Sequence, residues 1–244
     1  MRIARFSTSS IAATALLLPL TAVVGGAPVA GGAPSGAEEA ARGGVCAGAK
    51  KCHRVAKVDV NGDRRADRVG WQQINDKRVR IRVRITGGRL ITRTVNVGRW
   101  WGGGEWAGAA WIDGRRGAEL LIGSSMGAHT PFYTMLTYRK GRLVMEKSPA
   151  VGAYGSNLWA IDSSLRAYAG WNRHVGKRGR ITMTQRVAFR NNLGKRYSGH
   201  DVRYVWRSGN WKRVKRVNRT YRNKARAARI AGWHVGHLQR FPGL

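Results

Sequence analysis

Eight residues constrain this chain more than any others: from Arg78 to Ile85 basic and apolar side chains alternate without a break, Arg78, Arg80, Arg82 and Arg84 against Val79, Ile81, Val83 and Ile85. A period of two puts the sets on opposite faces of an extended chain, which predicts a half-buried strand. Gly87-Gly88 then supplies the positive φ of a tight turn, and Ile91 to Val97 reads as the returning strand of a hairpin. The same grammar recurs. Phe132 to Tyr138 meets Leu143 to Met145 across Arg139-Lys140-Gly141-Arg142, and Val202 to Arg207 meets Trp211 to Val217 across Ser208-Gly209-Asn210. Those two turns, Tyr-Arg-x-Gly-x-Leu and Trp-Arg-x-Gly-x-Trp, look like copies of one unit. Glu119 to Ile122 and Ile181 to Phe189 read as further strands, Leu158 to Tyr168 fits helix and strand equally, and Asn223 is placed to cap a short helix through Ala231. The expectation is a mainly β fold: antiparallel hairpins in blade-like repeats, forming a partial propeller or sandwich, with a short C-terminal helix. Three or so such units fall short of the four blades that a closed propeller needs.

The N-terminal region has a different composition. Arg2 and Arg5 precede the apolar stretch Ile11 to Val24, and small residues follow, the pattern of an export signal over 1–30 with cleavage between 30 and 37, after Ala30, Ala33 or Ala37. The stretch is short for a bilayer, and no later run reaches membrane length, so the mature chain is expected to carry no transmembrane segment. Residues 31–55 are read as a flexible tether, since Gly25 to Gly44 offers few large apolar groups to offset the entropy of ordering. Residues 56–244 are read as a single β-rich repeat domain, with structure starting near Lys57. Two cysteines, Cys46 and Cys52, are even in number and close together; an oxidising exterior favours a disulfide over a metal pair without further ligands or a lipid-modified Cys46 in a poor lipidation box. So small a closed loop stabilises by only about 2 kcal/mol.

The sequence has seven aspartates, and three fall in Asp59-Val60-Asn61-Gly62-Asp63-Arg64-Arg65-Ala66-Asp67. Oxygen side chains at positions 1, 3, 5 and 9 of a tight turn suit calcium, which takes six to eight hard oxygens; Asp59, Asn61, Asp63 and Asp67, the backbone carbonyl of Arg65 and a water make up such a set. An EF-hand is excluded by Arg64 at position 6 and Gly70 at position 12. The spacing resembles the Asp-x-Asn-Gly-Asp-Gly-x-x-Asp loop of FG-GAP and VCBS repeats, as found in extracellular propeller proteins, with Val58 and Val69 in place of the flanking strands. The resemblance covers about residues 56–145 and is strongest with small secreted actinobacterial-type proteins. It implies structural calcium at Asp59, Asn61, Asp63 and Asp67, and a loop that ties neighbouring strands of a blade. Arg64 stands where the family has glycine. A second copy, Trp111-Ile112-Asp113-Gly114-Arg115-Arg116-Gly117-Ala118-Glu119, keeps only Asp113 at a ligand position when aligned on Glu119, so it is expected to be empty.

Charge points to the partner. The chain has 45 Lys+Arg against 12 Asp+Glu, a net +33; losing Arg2 and Arg5 with the leader leaves about +31, which favours polyanions. The ladder Arg78, Arg80, Arg82 and Arg84, repeating at about 7 Å, forms one candidate surface. Arg203, Arg207, Lys212, Arg213, Lys215 and Arg216, interleaved with Tyr204, Trp206 and Trp211, form a second. Both patterns also arise from a plain solvated sheet face. Gly123-Ser124-Ser125-Met126-Gly127 matches a serine-hydrolase elbow, with Ser125 as nucleophile and His129 nearby, but the β-rich sequence that follows supplies no helix. His200-Asp201 and His234-Val235-Gly236-His237 lack the ligand spacing of a zinc site and read as surface or packing histidines. The expected protein is a non-enzymatic, secreted or cell-wall-associated β domain that holds structural calcium and binds an anionic extracellular polymer, glycan or other envelope component. The alternatives are a secreted serine hydrolase and an extracellular scaffold for a protein partner.

Overall fold

The structure is a computed structural model and describes residues 43–98, 104–150, 154–155, 157–192 and 194–238. The expected export signal, its cleavage window and the tether up to residue 42 lie outside the described residues. Strands dominate, in three sheets built from consecutive antiparallel hairpins. Sheet A runs β1 (Cys52–Val58), β2 (Asp67–Asn75), β3 (Arg78–Arg84), β4 (Leu90–Asn96). Sheet B runs β5 (Glu105–Ala110), β6 (Glu119–Met126), β7 (Pro131–Arg139), β8 (Arg142–Glu146), with the short β9 (Trp159–Ala160) also on β7. Sheet C runs β10 (Asp162–Ser163), β11 (Ala167–Val175), β12 (Ile181–Arg190), β13 (Tyr197–Arg207), β14 (Asn210–Tyr221), and β15 (Gly232–His234) joins β11 in parallel.

The order of layers follows from side-chain alternation. In β6 the fully buried Leu120 and Ile122 pack with Val69, Ile81 and Val83 of sheet A, whereas Leu121 between them packs with Trp171, Met183 and Val202 of sheet C. Sheet B therefore lies between A and C and is apolar on both faces. That is why Leu120-Leu121-Ile122 is a continuous hydrophobic run while the outer β3 alternates. Complete burial of side chains of this size contributes about 1.5–3 kcal/mol each.

The predicted hairpins form. Arg84 pairs with Leu90, Arg139 with Arg142, and Arg207 with Asn210 at the three turns. Asn223 caps α1 (Lys224–Ala228), its Oδ1 accepting from the Arg226 N–H at 3.0 Å, and Ala227 and Ile230 seal the helix onto Tyr168 and Tyr197 of sheet C. The ambiguous stretch 158–168 resolves into β9, β10 and the start of β11, held by the Trp159 and Trp171 indoles, which donate to the carbonyls of Glu146 and Ala160.

Structure starts earlier than expected. The Cys46–Cys52 disulfide is formed, β1 begins at Cys52, and Val45 is buried against Gly70 on the outer face of sheet A. This corrects the predicted arginine ladder. Arg82 is only 8 % exposed, with Nε donating to the Val45 carbonyl at 2.7 Å and a terminal nitrogen to the Ala47 carbonyl at 3.1 Å. Burial lowers its pKa, and the guanidinium groups of Arg80 and Arg84 add to that effect. Alternation correctly put the four arginines on one face, but that face is roofed by residues 43–51, leaving Arg78 exposed and Arg80 and Arg84 half-buried.

Candidate functional site

In the first hairpin of each sheet an Asx side chain that follows an apolar residue closes the turn. Asn61 Oδ1 accepts from the Asp63 N–H, Asp113 Oδ1 from the Arg115 N–H and Asp162 Oδ1 from the Ser164 N–H, after Val60, Ile112 and Ile161. The first two turns share a second device. Asp67 Oδ2 accepts from the Val60 N–H at 2.9 Å and Glu119 Oε2 from the Ile112 N–H at 2.7 Å, in both cases seven residues back. The remaining oxygen takes a donor further along the same sheet, the Thr86 N–H for Asp67 and the Thr137 hydroxyl for Glu119. The turns also abut each other, the Ala118 N–H donating to the Asp59 carbonyl at 2.7 Å.

In the first turn the predicted calcium ligands face the loop's own amides. Asp59 accepts from the N–H groups of Gly62 and Arg64, and Asp63 from the Arg65 N–H and the Asn61 amide. These contacts, the Asn61 amide first, hold the Asp63 carboxyl below its ordinary pKa, whereas burial raises that of Asp67. Arg64 takes a left-handed φ of 70°. The hard oxygens are of the kind calcium takes. The carboxylates of Asp59, Asp63 and Asp67 do not close to within 4.8 Å of one another.

A different acidic group does close. Among the described residues, Asp113, Glu119 and Glu146 are the one set of three acid, histidine or cysteine side chains whose ligand atoms lie within 4.8 Å of each other, and all three are buried. Arg139 pairs with Asp113 and lies 3.9 Å from Glu146 Oε2. Burial, reinforced by Asp113, pushes the Glu119 carboxyl up to about 7; burial and then the two neighbouring acids raise Glu146 well above the carboxylate range. Buried carboxyls this close to one another, with a single guanidinium beside them, disfavour the charged form, which is why Glu119 and Glu146 shift upward. The sequence aligns Glu119 with Asp67 and keeps Asp113 at a ligand position, but it gives no sign of Glu146, which arrives from β8 and has no local signature.

Above the cluster opens a cleft of about 560 Å³ between β8 and the β13–β14 turn, lined by Thr137, Glu146, Trp206 and Trp211 with a basic rim. Trp211 donates its indole N–H to Glu146 Oε1 at 2.7 Å, and the Trp206 and Trp211 rings meet edge-to-face with centroids 5.0 Å apart.

The C-terminal basic residues are exposed on neighbouring strands. β14 is an edge strand exposed along most of its length, which places Lys212, Arg213, Lys215 and Arg216 at the surface beside exposed Arg203 and Arg207 of β13. Arg203 stands directly opposite Lys215. Arg219 is neutralised by Asp201 at 2.8 Å, and Arg216 approaches His200, which burial and then Arg216 hold below the usual histidine pKa.

Ser125 is in the body of β6, opposite Phe132, and β7 follows at Pro131, so the strand–turn–helix of a nucleophile elbow is not formed. His129, His234 and His237 are exposed, and none enters a three-ligand group among the described residues. A larger recess of about 1200 Å³ between β4 and sheet B is lined by Arg78, Arg93, Ser124 and Ser125; it leads to Gly98, and residues 99–103 beyond lie outside the described residues. Comparison with protein-family models, curated proteins and solved structures gave no significant match.

Proposed function

We propose that this protein is a non-enzymatic, secreted β domain that binds an anionic extracellular polymer of the cell envelope through the exposed basic face of β13 and β14. One observation carries the reading: Arg203 and Lys215 are exposed and directly opposed across the β13–β14 ladder, and Lys212, Arg213 and Arg216 are exposed along the same edge strand. Like charges directly opposite destabilise a sheet. A polyanion turns that repulsion into attraction, with counterion release adding to affinity. The calcium proposed for the first turn is structural in this reading, drawing the oxygens of Asp59, Asn61, Asp63 and Asp67 from backbone amides to the ion.

The test is retention on a heparin matrix across a salt gradient, comparing the natural chain with a variant in which Lys212, Arg213, Lys215 and Arg216 are all glutamate. The natural chain should elute late and the variant at far lower salt. Equal elution of the two, or retention that does not respond to salt, defeats the proposal.

A further inference from the structure

The geometry points to a binding site for an acidic carbohydrate in the cleft between β8 and the β13–β14 turn, with the Trp206–Trp211 corner as its stacking wall. This deepens the polyanion reading and rests on it.

Both indoles are fixed before any ligand arrives. Trp206 lies over Gly114, where even a Cβ would come within 2.4 Å of its ring. Trp211 is held by its hydrogen bond to Glu146 and by an edge contact with Trp159. Side chains immobilised in advance do not have to be ordered on binding, which favours affinity. Both tryptophans are nevertheless partly exposed and line the cleft, a position that a purely structural indole does not need.

The floor supplies the second clue. Glu146 is nine-tenths buried and lines the cleft, and its Oε2 has no hydrogen-bond partner, the Arg139 guanidinium being 3.9 Å away. A buried polar atom left open beside a cavity calls for a partner from outside. Thr137, Ser148 and Asn210 join it in the lining, so the cleft offers hydroxyl, amide and carboxyl groups close to two aromatic faces. A sugar ring matches that set: C–H groups on one face for the indoles, hydroxyls at the edge for the carboxyl. The exposed rim of Arg115, Lys140, Arg142 and Lys147 selects sugars that carry sulfate or carboxylate, and none of the four is ion-paired among the described residues. A nucleobase would also stack on the walls, but a single-stranded nucleic acid keeps its charge on the backbone and has few hydroxyls for an acidic floor.

The experiment titrates the full chain with a heparin-derived tetrasaccharide, a neutral tetrasaccharide (cellotetraose) and a single-stranded DNA octamer, reading heat and tryptophan fluorescence. The acidic sugar should bind and shift the fluorescence, with the neutral sugar and DNA at least about tenfold weaker. The surface variant R142E/K147E should lose about tenfold for the tetrasaccharide while keeping most of its retention on polymeric heparin. E146Q, which preserves a neutral hydrogen-bonding head, should stay within about threefold of the natural chain, and E146A should fall about tenfold, with thermal melts confirming that each variant folds. Unchanged tetrasaccharide binding by R142E/K147E overturns the cleft but leaves the β13–β14 surface standing. DNA binding as tight as the sugar's overturns the carbohydrate class, and absence of binding to both tetrasaccharide and polymer overturns the polyanion reading as well.

Discussion

The turns at 59–67 and 111–119 share the same bracket, an acid that closes on an N–H seven residues earlier, yet they use it in opposite surroundings. Around Asp67 the other acids reach solvent, and Asp63 is held ionised by its hydrogen bonds. Around Glu119 the neighbouring acids are buried, and burial raises the pKa of Glu119 and of Glu146. Identical local geometry therefore does not fix the charge state of a carboxyl; the layer that packs over it does. The exposed turn is a candidate for taking up an ion, whereas the buried one is a floor for a cleft.

Substitution at the bracket acids should separate the two turns most sharply. Glu119→Ala strips acceptors from the buried Ile112 and Asp113 N–H groups and the Thr137 hydroxyl, and about 3 kcal/mol of stability should go. Asp67→Ala should cost about 2 kcal/mol, since water can reach part of the exposed turn; denaturant midpoints in the reverse order would break the comparison. Equal in size to Asp67→Ala is Gly117→Ala, at about 2 kcal/mol: this glycine has a φ of +102° and a Cβ there would come within 2.4 Å of the Val60 carbonyl oxygen, wedging the turns apart. A melt of this variant that matches the natural chain would show that the turns do not depend on their contact.

The pH response discriminates further. Glu119 has a folded pKa of about 7 against an ordinary 4.5, so between those values the folded state holds a proton that the unfolded chain has released. Stability from this group is fully present below about pH 4.5 and falls as pH rises towards 7, by up to about 1.4 kcal/mol per unit. Glu119→Gln should flatten that slope, and an unchanged slope would mean that the buried cluster does not hold the proton. The smallest effect belongs to the exposed turn. Calcium at about tenfold over a millimolar Kd should add about 1.4 kcal/mol, lost in Asp59→Ala and Asp63→Ala. A calcium-independent thermal midpoint would leave the turn as a set of backbone caps alone.

The strands were readable wherever one face meets solvent, because alternation then records burial directly. The hairpins at Gly87-Gly88, Gly141 and Gly209 and the Asn223 cap rest on that and on turn chemistry. What stayed hidden needed a partner remote in sequence. Nothing within β3 announces that residues 43–51 will cover Arg82, and nothing around Glu146 announces Asp113 and Glu119. One local signal does exist: Ile161-Asp162 repeats Ile112-Asp113 and marks a third turn and the start of sheet C inside the ambiguous stretch. Leu120-Leu121-Ile122 was likewise read simply as a strand, although its continuity already marked a layer covered on both sides.

That doubly covered layer bears on how the chain is made. A nascent polypeptide released up to β8 has sheets A and B but nothing to shield Leu121, Tyr133 and Met135, whose neighbours Trp171, Met183 and Val202 are still to be synthesised. Until the last third of the chain emerges, the half-built molecule is adhesive on one side, and assistance by a holding chaperone matters most during that interval.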